Sequence, residues 1–161
     1  MKSEDLVNLM LSPLWVSKLL HHFLSGAQQV NPKGIKTELL YVLLPFIIDD
    51  VTREKLSRAM IKSTFSSILK NKDTLEIKNS LLNKNNQVEQ YREFTNRGII
   101  YLGNIETLKI DRLTSIENII KFQKEKQDIN RNYCKAAYYL GVIFAKEDYR
   151  NVFVKLGITN I

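Results

Sequence analysis

Residues 132–158, NYCKAAYYLGVIFAKEDYRNVFVKLGI, constrain this chain more than any other stretch. Tyr133, Ala137, Leu140 and Phe144 recur at three- and four-residue spacing, which is one stripe of a 3.6-residue helix. Ala136, Ala137 and Gly141 keep part of that surface small. A glycine inside a helix costs roughly 1 kcal/mol relative to alanine, so the pattern predicts another helix packed closely against this one. Lys146 suits the negative end of the helix, and Asp148 is placed to cap the next. That second helix buries Val152, Phe153 and Leu156. Gly157 followed by Ile158 is the expected stop.

The chain before this corner reads as further helices. Leu6, Leu9, Met10 and Leu11 suggest a short lead-in. Ser12 and Pro13 then start a helix whose apolar face is Leu14, Trp15, Leu19, Leu20, Phe23 and Leu24, with Gly26 as its expected end. Asn31-Pro32-Lys33-Gly34 is a turn. In TELLYVLLPFIIDDVTREKL, Thr37 is a candidate cap, and every residue from 39 to 48 except Tyr41 and Pro45 is aliphatic or Phe. This predicts a central core helix, since a membrane span needs about 20 such residues. Pro45 should kink or end it near Leu44. Thr52 is expected to cap a helix with Leu56, Ala59 and Met60 inward and Arg53, Lys55 and Arg58 outward. Phe65, Ile68 and Leu69 make another short turn.

Residues 71–86 are rich in Lys, Asn and Asp and read as a polar linker leading into a helix. That helix carries Val88, Tyr91, Phe94 or Thr95, Ile99 and Leu102, and runs to Gly103. In ETLKIDRLTSI the apolar period shortens to two: Leu108 and Ile110 alternate with polar residues, Asp111-Arg112 can turn, and Leu113 leads back toward Ile116. The expectation is a mainly α, compact multi-helix domain over residues 1–161, with a small β-hairpin near 106–116. A helix followed by such a hairpin is winged-helix-like.

Composition narrows the function classes. At 44% hydrophobic and 25% charged residues the chain is ordinary for a folded domain, and a net charge of +7 favours an acidic partner, nucleic acid or protein. The single cysteine, Cys134, allows no internal disulfide and no Cys-based metal site, and it reads as a small core residue. That usage, and an N-terminus unlike a signal peptide, suit the cytoplasm. His21 and His22 are adjacent and point about 100° apart, so they cannot clamp one metal together. They read as a solvated or hydrogen-bonded pair. No Gly-rich phosphate loop and no nucleophile motif occur, and Asp49-Asp50 reads as a turn and cap. No catalytic, cofactor or metal residue is expected.

The candidate functional residues are therefore on surfaces. Arg53, Lys55, Arg58 and Lys62, with Lys109 and Arg112 at the hairpin, form a basic set that can meet phosphates or an acidic protein, or simply be solvated. Trp15, Tyr138, Phe144 and Phe153 are candidates for apolar packing or an interface.

Three segments in register carry a family resemblance: SPLWVSKLLHHF, LLYVLLPFIIDDVTREKL and AAYYLGVIFAKEDYRNVFVKLGI. Together they resemble the middle component of bacterial three-component ABC-ATPase conflict systems, the small subunit of Lamassu-type anti-phage defence. The chain departs from many relatives in lacking a Trp within GVIFAK and in its Lys- and Asn-rich middle. The resemblance implies a non-enzymatic adaptor that sits with an SMC-like ABC ATPase and an effector, often a nuclease. Such an adaptor helps hold the effector inactive until foreign DNA is sensed, with DNA contacted through the complex and no membrane involved. The alternative is a stand-alone winged-helix DNA-binding regulator, with Gln87, Gln90, Arg92 and Asn96 on the helix before the hairpin as base-reading candidates.

Overall fold

A computed structural model of the chain describes residues 10–69 and 75–159, apart from the side chains at 69, 75–78 and 129. Within it, Ser12 Oγ accepts the Trp15 amide at 3.3 Å and Pro13 takes the first position of helix α1, Pro13–Val30. Of the lead-in, Met10 is exposed and Leu11 buried, while Leu6 and Leu9 lie outside the described residues. Leu14, expected inward, faces solvent. The rest of α1 is buried almost continuously from Val16 to Ala27.

Gly26 does not end α1. A β-carbon built there would lie 1.9 Å from the carbonyl oxygen of Tyr138, on helix α7, Asp128–Ala145. A β-carbon on Gly141 of α7 would lie 2.0 Å from the Phe23 carbonyl oxygen. The two glycines let α1 and α7 cross with backbones nearly touching, which identifies the close partner that the small stripe of α7 demands. On the next side α6, Lys84–Ile105, presents Gly98 to Val16, whose Cγ1 would be 2.4 Å from an added β-carbon. α1, not the aliphatic run 39–48, is thus the central helix.

The aliphatic run is buried as expected, but it is split. Thr37–Val42 is a 3₁₀ turn and Leu43–Ile48 is helix α2. The break precedes Pro45, which sits in the first turn of α2, where a missing N–H leaves no intrahelical bond unmade. Asp49, not Thr52, caps helix α3, Asp50–Ser57: Asp49 Oδ1 accepts the Val51 amide at 2.8 Å. Thr52 is buried and donates to the Phe46 carbonyl at 2.7 Å. α3 stops early, so Ala59 is buried but Met60, expected inward, is 54% exposed. Lys146 Nζ, at the end of α7, donates to the carbonyls of Ile61 and, at 3.0 Å, Ser63, tying down the loop after α3. Helices α4, Phe65–Leu69, and α5, Leu75–Leu82, follow, so that within the polar stretch 71–86 the described residues form α5 and the start of α6.

The hairpin forms where its alternation places it: β2, Leu108–Ile110, pairs with β3, Leu113–Ile116. A third strand, β1, Ile35–Lys36, adds to β3, giving the antiparallel order β1-β3-β2. Gly34 makes this possible, since its φ is +106° and a β-carbon there would stand 2.1 Å from the Thr114 carbonyl oxygen. Helix, strand, helices, helix and hairpin in this order, with the first strand on the last, is the arrangement of a winged-helix unit. The Gln28 side chain locks it to α1: it donates to the Ile116 carbonyl and accepts the Ile116 amide, at 3.0 and 2.7 Å.

Phe144 is the centre of the core, edge-on to Phe23, Phe46 and Phe65 with ring centroids 5.6–6.4 Å apart. The C-terminal corner forms as its residues dictate. Asp148 Oδ1 accepts the Arg150 amide to cap helix α8, Tyr149–Leu156, and Gly157 ends it at φ 65°. The Ile158 amide donates back to the Phe153 carbonyl at 2.9 Å.

Candidate interaction surfaces and a buried polar cluster

The basic residues of α3 do not share one role. Arg53 lies over the Tyr133 ring at 4.4 Å, donates to the Ile47 carbonyl at 3.0 Å and pairs with Asp50. It is a strut joining α2, α3 and α7, and only 20% of its side chain is exposed. Arg58 is outward and paired with Glu54 at 2.6 Å, Lys55 is half-buried, and Lys62 is exposed in the loop that follows. Lys109 and Arg112 stand exposed on the hairpin. Among the described residues no hydrogen bond or ion pair joins the α3 group to the hairpin pair.

The apolar candidates also divide. Phe144 is core. Trp15 is half-buried, edge-on to Tyr133 at 5.3 Å, beside an open hollow that Met10, Leu14 and Lys18 help to line. Tyr138 is half-buried against Phe122 at 5.3 Å, and burial raises its hydroxyl pKa. Phe153 is half-buried under Tyr149. Apolar surface that the sequence did not flag lies at the end of α6 and on the hairpin: Ile100, Ile105 and Ile110 are 66%, 55% and 54% exposed.

α6 occupies the position of a winged-helix recognition helix, yet its polar groups are engaged at home. Gln87 Oε1 accepts from Lys84 at 3.2 Å, and Asn96 Oδ1 accepts the Tyr41 hydroxyl at 2.6 Å. Arg92 pairs with Glu89 and Arg97 with Glu93 along the same helix. Gln90 is exposed. The helix surface carries matched charge, not a net positive field.

Two buried polar groups escaped sequence reasoning. Lys84, read as part of a solvated stretch, is fully buried. Its Nζ donates to the Pro45 carbonyl at 2.8 Å, Asp49 Oδ2 at 3.1 Å and Gln87 Oε1, and lies 5.1 Å from the Phe46 ring centre. Burial lowers the ammonium pKa against the pull of Asp49. Burial also works against the Asp49 carboxylate, but the Lys84 ammonium and hydrogen bonds outweigh it, so the Asp49 pKa lies below its ordinary value.

The second group surrounds His22. Both histidines are buried and hydrogen-bonded: His21 Nε2 lies 2.6 Å from the Asn118 carbonyl, and His22 Nε2 lies 3.4 Å from Glu125 Oε1. Glu125 Oε2 also accepts from Lys18 at 2.6 Å. Cys134 of α7 completes the cluster, and the donor atoms of His22, Glu125 and Cys134 all lie within 4.8 Å of one another. Burial pushes His22 down to about 4 and Cys134 up to about 12, so at neutral pH one is a neutral imidazole and the other a thiol.

No helix among the described residues is long and apolar enough to cross a membrane. The family model described as ABC-three component (ABC-3C) system Middle Component 3 matches residues 1–160. No curated protein and no solved structure matches the chain.

Proposed function

Because the chain belongs to the ABC-three component (ABC-3C) system Middle Component 3 family, we propose that it is a non-catalytic adaptor in a Lamassu-type anti-phage system. It bridges an SMC-like ABC ATPase and an effector nuclease in the cytoplasm, and helps hold the nuclease inactive until the ATPase senses foreign DNA. The observation that carries this reading is the match of the family model over nearly the whole chain.

Two surface features support it. Ile100 and Ile105 on α6 and Ile110 on the hairpin expose aliphatic side chains, and Lys109 and Arg112 of the hairpin are exposed too, so this part of the chain offers both apolar and basic groups to a protein partner. Arg58, Arg92 and Arg97 are each paired with a glutamate of their own helix, which leaves less positive charge for phosphates than the net charge suggests.

A stand-alone winged-helix DNA-binding regulator is the second reading, favoured by the β1-β3-β2 sheet with α6 ahead of the hairpin. Co-expression with the products of the flanking genes, followed by tag pull-down and mass measurement, separates the two. The adaptor reading expects a stable assembly with a coiled-coil ABC ATPase, in which nuclease activity rises when this chain is withheld. A chain that elutes alone and binds duplex DNA with a steep salt dependence overturns it.

A further inference from the structure

We propose that His22, Glu125 and Cys134 form a binding site for a borderline-soft divalent transition metal of the zinc type. The three residues come from α1, from the segment after the hairpin and from α7, and their donor atoms lie within 4.8 Å of one another. In a tetrahedral site with metal–nitrogen and metal–oxygen bonds of about 2.0–2.2 Å, neighbouring donors stand about 3.4 Å apart. His22 Nε2 and Glu125 Oε1 are 3.4 Å apart, the length of that edge and long for a hydrogen bond. A metal–sulfur bond of about 2.3 Å puts the sulfur about 3.6 Å from the other two donors, inside the 4.8 Å within which all three lie.

The imidazole is short of partners for a buried group. Among the described residues, His22 Nδ1 is buried with no hydrogen-bond partner, and Nε2 has only the long contact to Glu125. A metal on Nε2 would replace that long contact; Nδ1, across the ring, lies out of its reach and needs a partner of its own. The donor set selects the metal class. Imidazole, carboxylate and thiolate suit zinc and its neighbours, whereas magnesium and calcium require oxygen donors throughout.

The charges balance on binding. On binding, the His22 imidazole offers its Nε2 lone pair, the Cys134 S–H proton leaves to solvent, and Glu125 supplies a carboxylate oxygen. Two anions then offset the dication. Lys18, whose side chain is 38% exposed, swings from Glu125 into water. Glu125 is itself partly exposed, so the ion enters at this rim and a water takes the fourth position. The bound metal would staple α1, α7 and the segment linking the hairpin to α7.

The test uses the full chain, stripped with a chelator and titrated with Co(II) under reducing conditions. The expected result is one Co(II) per chain, with a thiolate-to-cobalt charge-transfer band and tetrahedral d–d absorption, displaced by Zn(II), and a Tm that rises with Zn(II). Cys134→Ser should abolish the charge-transfer band, and Glu125→Gln should weaken Co(II) binding by about tenfold or more. A Co(II) spectrum of the hexa-aquo type, or a binding curve unchanged in Glu125→Gln, overturns the site and leaves a hydrogen-bonded polar cluster. Should Cys134→Ser fail to fold, Glu125→Gln decides alone, because Glu125 lies at the partly exposed rim.

Discussion

A β-carbon on Gly26 would stand 1.9 Å from the carbonyl oxygen of Tyr138, so α1 and α7 meet at a distance that only glycine permits. The obstacle is backbone, which cannot rotate away as a side chain can. Gly26→Ala therefore has to push the helices apart, and overpacking of this kind costs about 3 kcal/mol or more. Gly103→Ala is the control. Among the described residues its added methyl group meets only Leu108 Cδ2, at 3.9 Å, so the better helix former should stabilise the protein by roughly 0.5–1 kcal/mol. Urea denaturation of the two variants should give shifts of opposite sign. Equal stability for Gly26→Ala and the native chain would mean that the helices cross farther apart.

Lys84 and Asp49 make the second prediction. Replacing Lys84 by Met keeps the aliphatic stem but leaves the Pro45 carbonyl unpaired and the Asp49 carboxylate without its cation. Breaking one side of such a buried pair costs about 3 kcal/mol. The sign of the pH dependence follows from Asp49. Its pKa is depressed in the folded state, so its contribution is present above the unfolded-state value of about 3.9 and is lost as pH falls through the folded value. The stability gap between the native chain and Lys84→Met should thus narrow as pH drops below about 4. A series of urea melts from neutral to acid pH reads this directly, and a gap that widens instead would contradict the pairing.

Gly157 tests the C-terminal corner. Its φ of 65° is left-handed, and among the described residues nothing lies within 4 Å of an added β-carbon, so the cost of Gly157→Ala is conformational and not steric. It should be about 1 kcal/mol, with Gly157→Asn milder because asparagine tolerates this region. Thermal melts of the two variants should rank Gly above Asn above Ala.

The features legible in the sequence were those whose signal is local. Gly157 and Asp148 announce a helix stop and a cap within a few residues, and Leu108 to Ile116 announce a hairpin by period alone. Gly141 showed that something must approach, but not what. Gly26 shows the limit of that logic: a glycine after an apolar face reads equally as a stop or as a crossing, and the deciding residue, Tyr138, is more than a hundred positions away. β1 is two residues long, too short to show any period. Lys84 looked solvated because its neighbours are polar, and its burial depends on Asp49 and Pro45 of a different helix pair. The His22 cluster was hidden for the same reason, since Glu125 and Cys134 lie far along the chain and the adjacent histidines drew the metal question toward each other.

Arg53 supplies the last prediction, because it separates packing from recognition within one basic stretch. Its guanidinium is stacked on Tyr133 and bonded to the Ile47 carbonyl, so Arg53→Ala removes a cation–π contact and a hydrogen bond to a partly buried carbonyl. The combined loss should be about 1–2 kcal/mol. Arg58 and Lys62 are exposed, and Arg58 has only a surface pair, so Arg58→Ala and Lys62→Ala should leave stability within about 0.5 kcal/mol. Any effect of those two on capture of a partner would then report contact and not unfolding. Chemical denaturation sorts the three variants first, and pull-down from the co-expressed assembly is then read only for those that remain as stable as the native chain. If Arg53→Ala proved neutral in denaturation, its stacking on Tyr133 would carry no weight in the fold and it would rejoin the surface candidates.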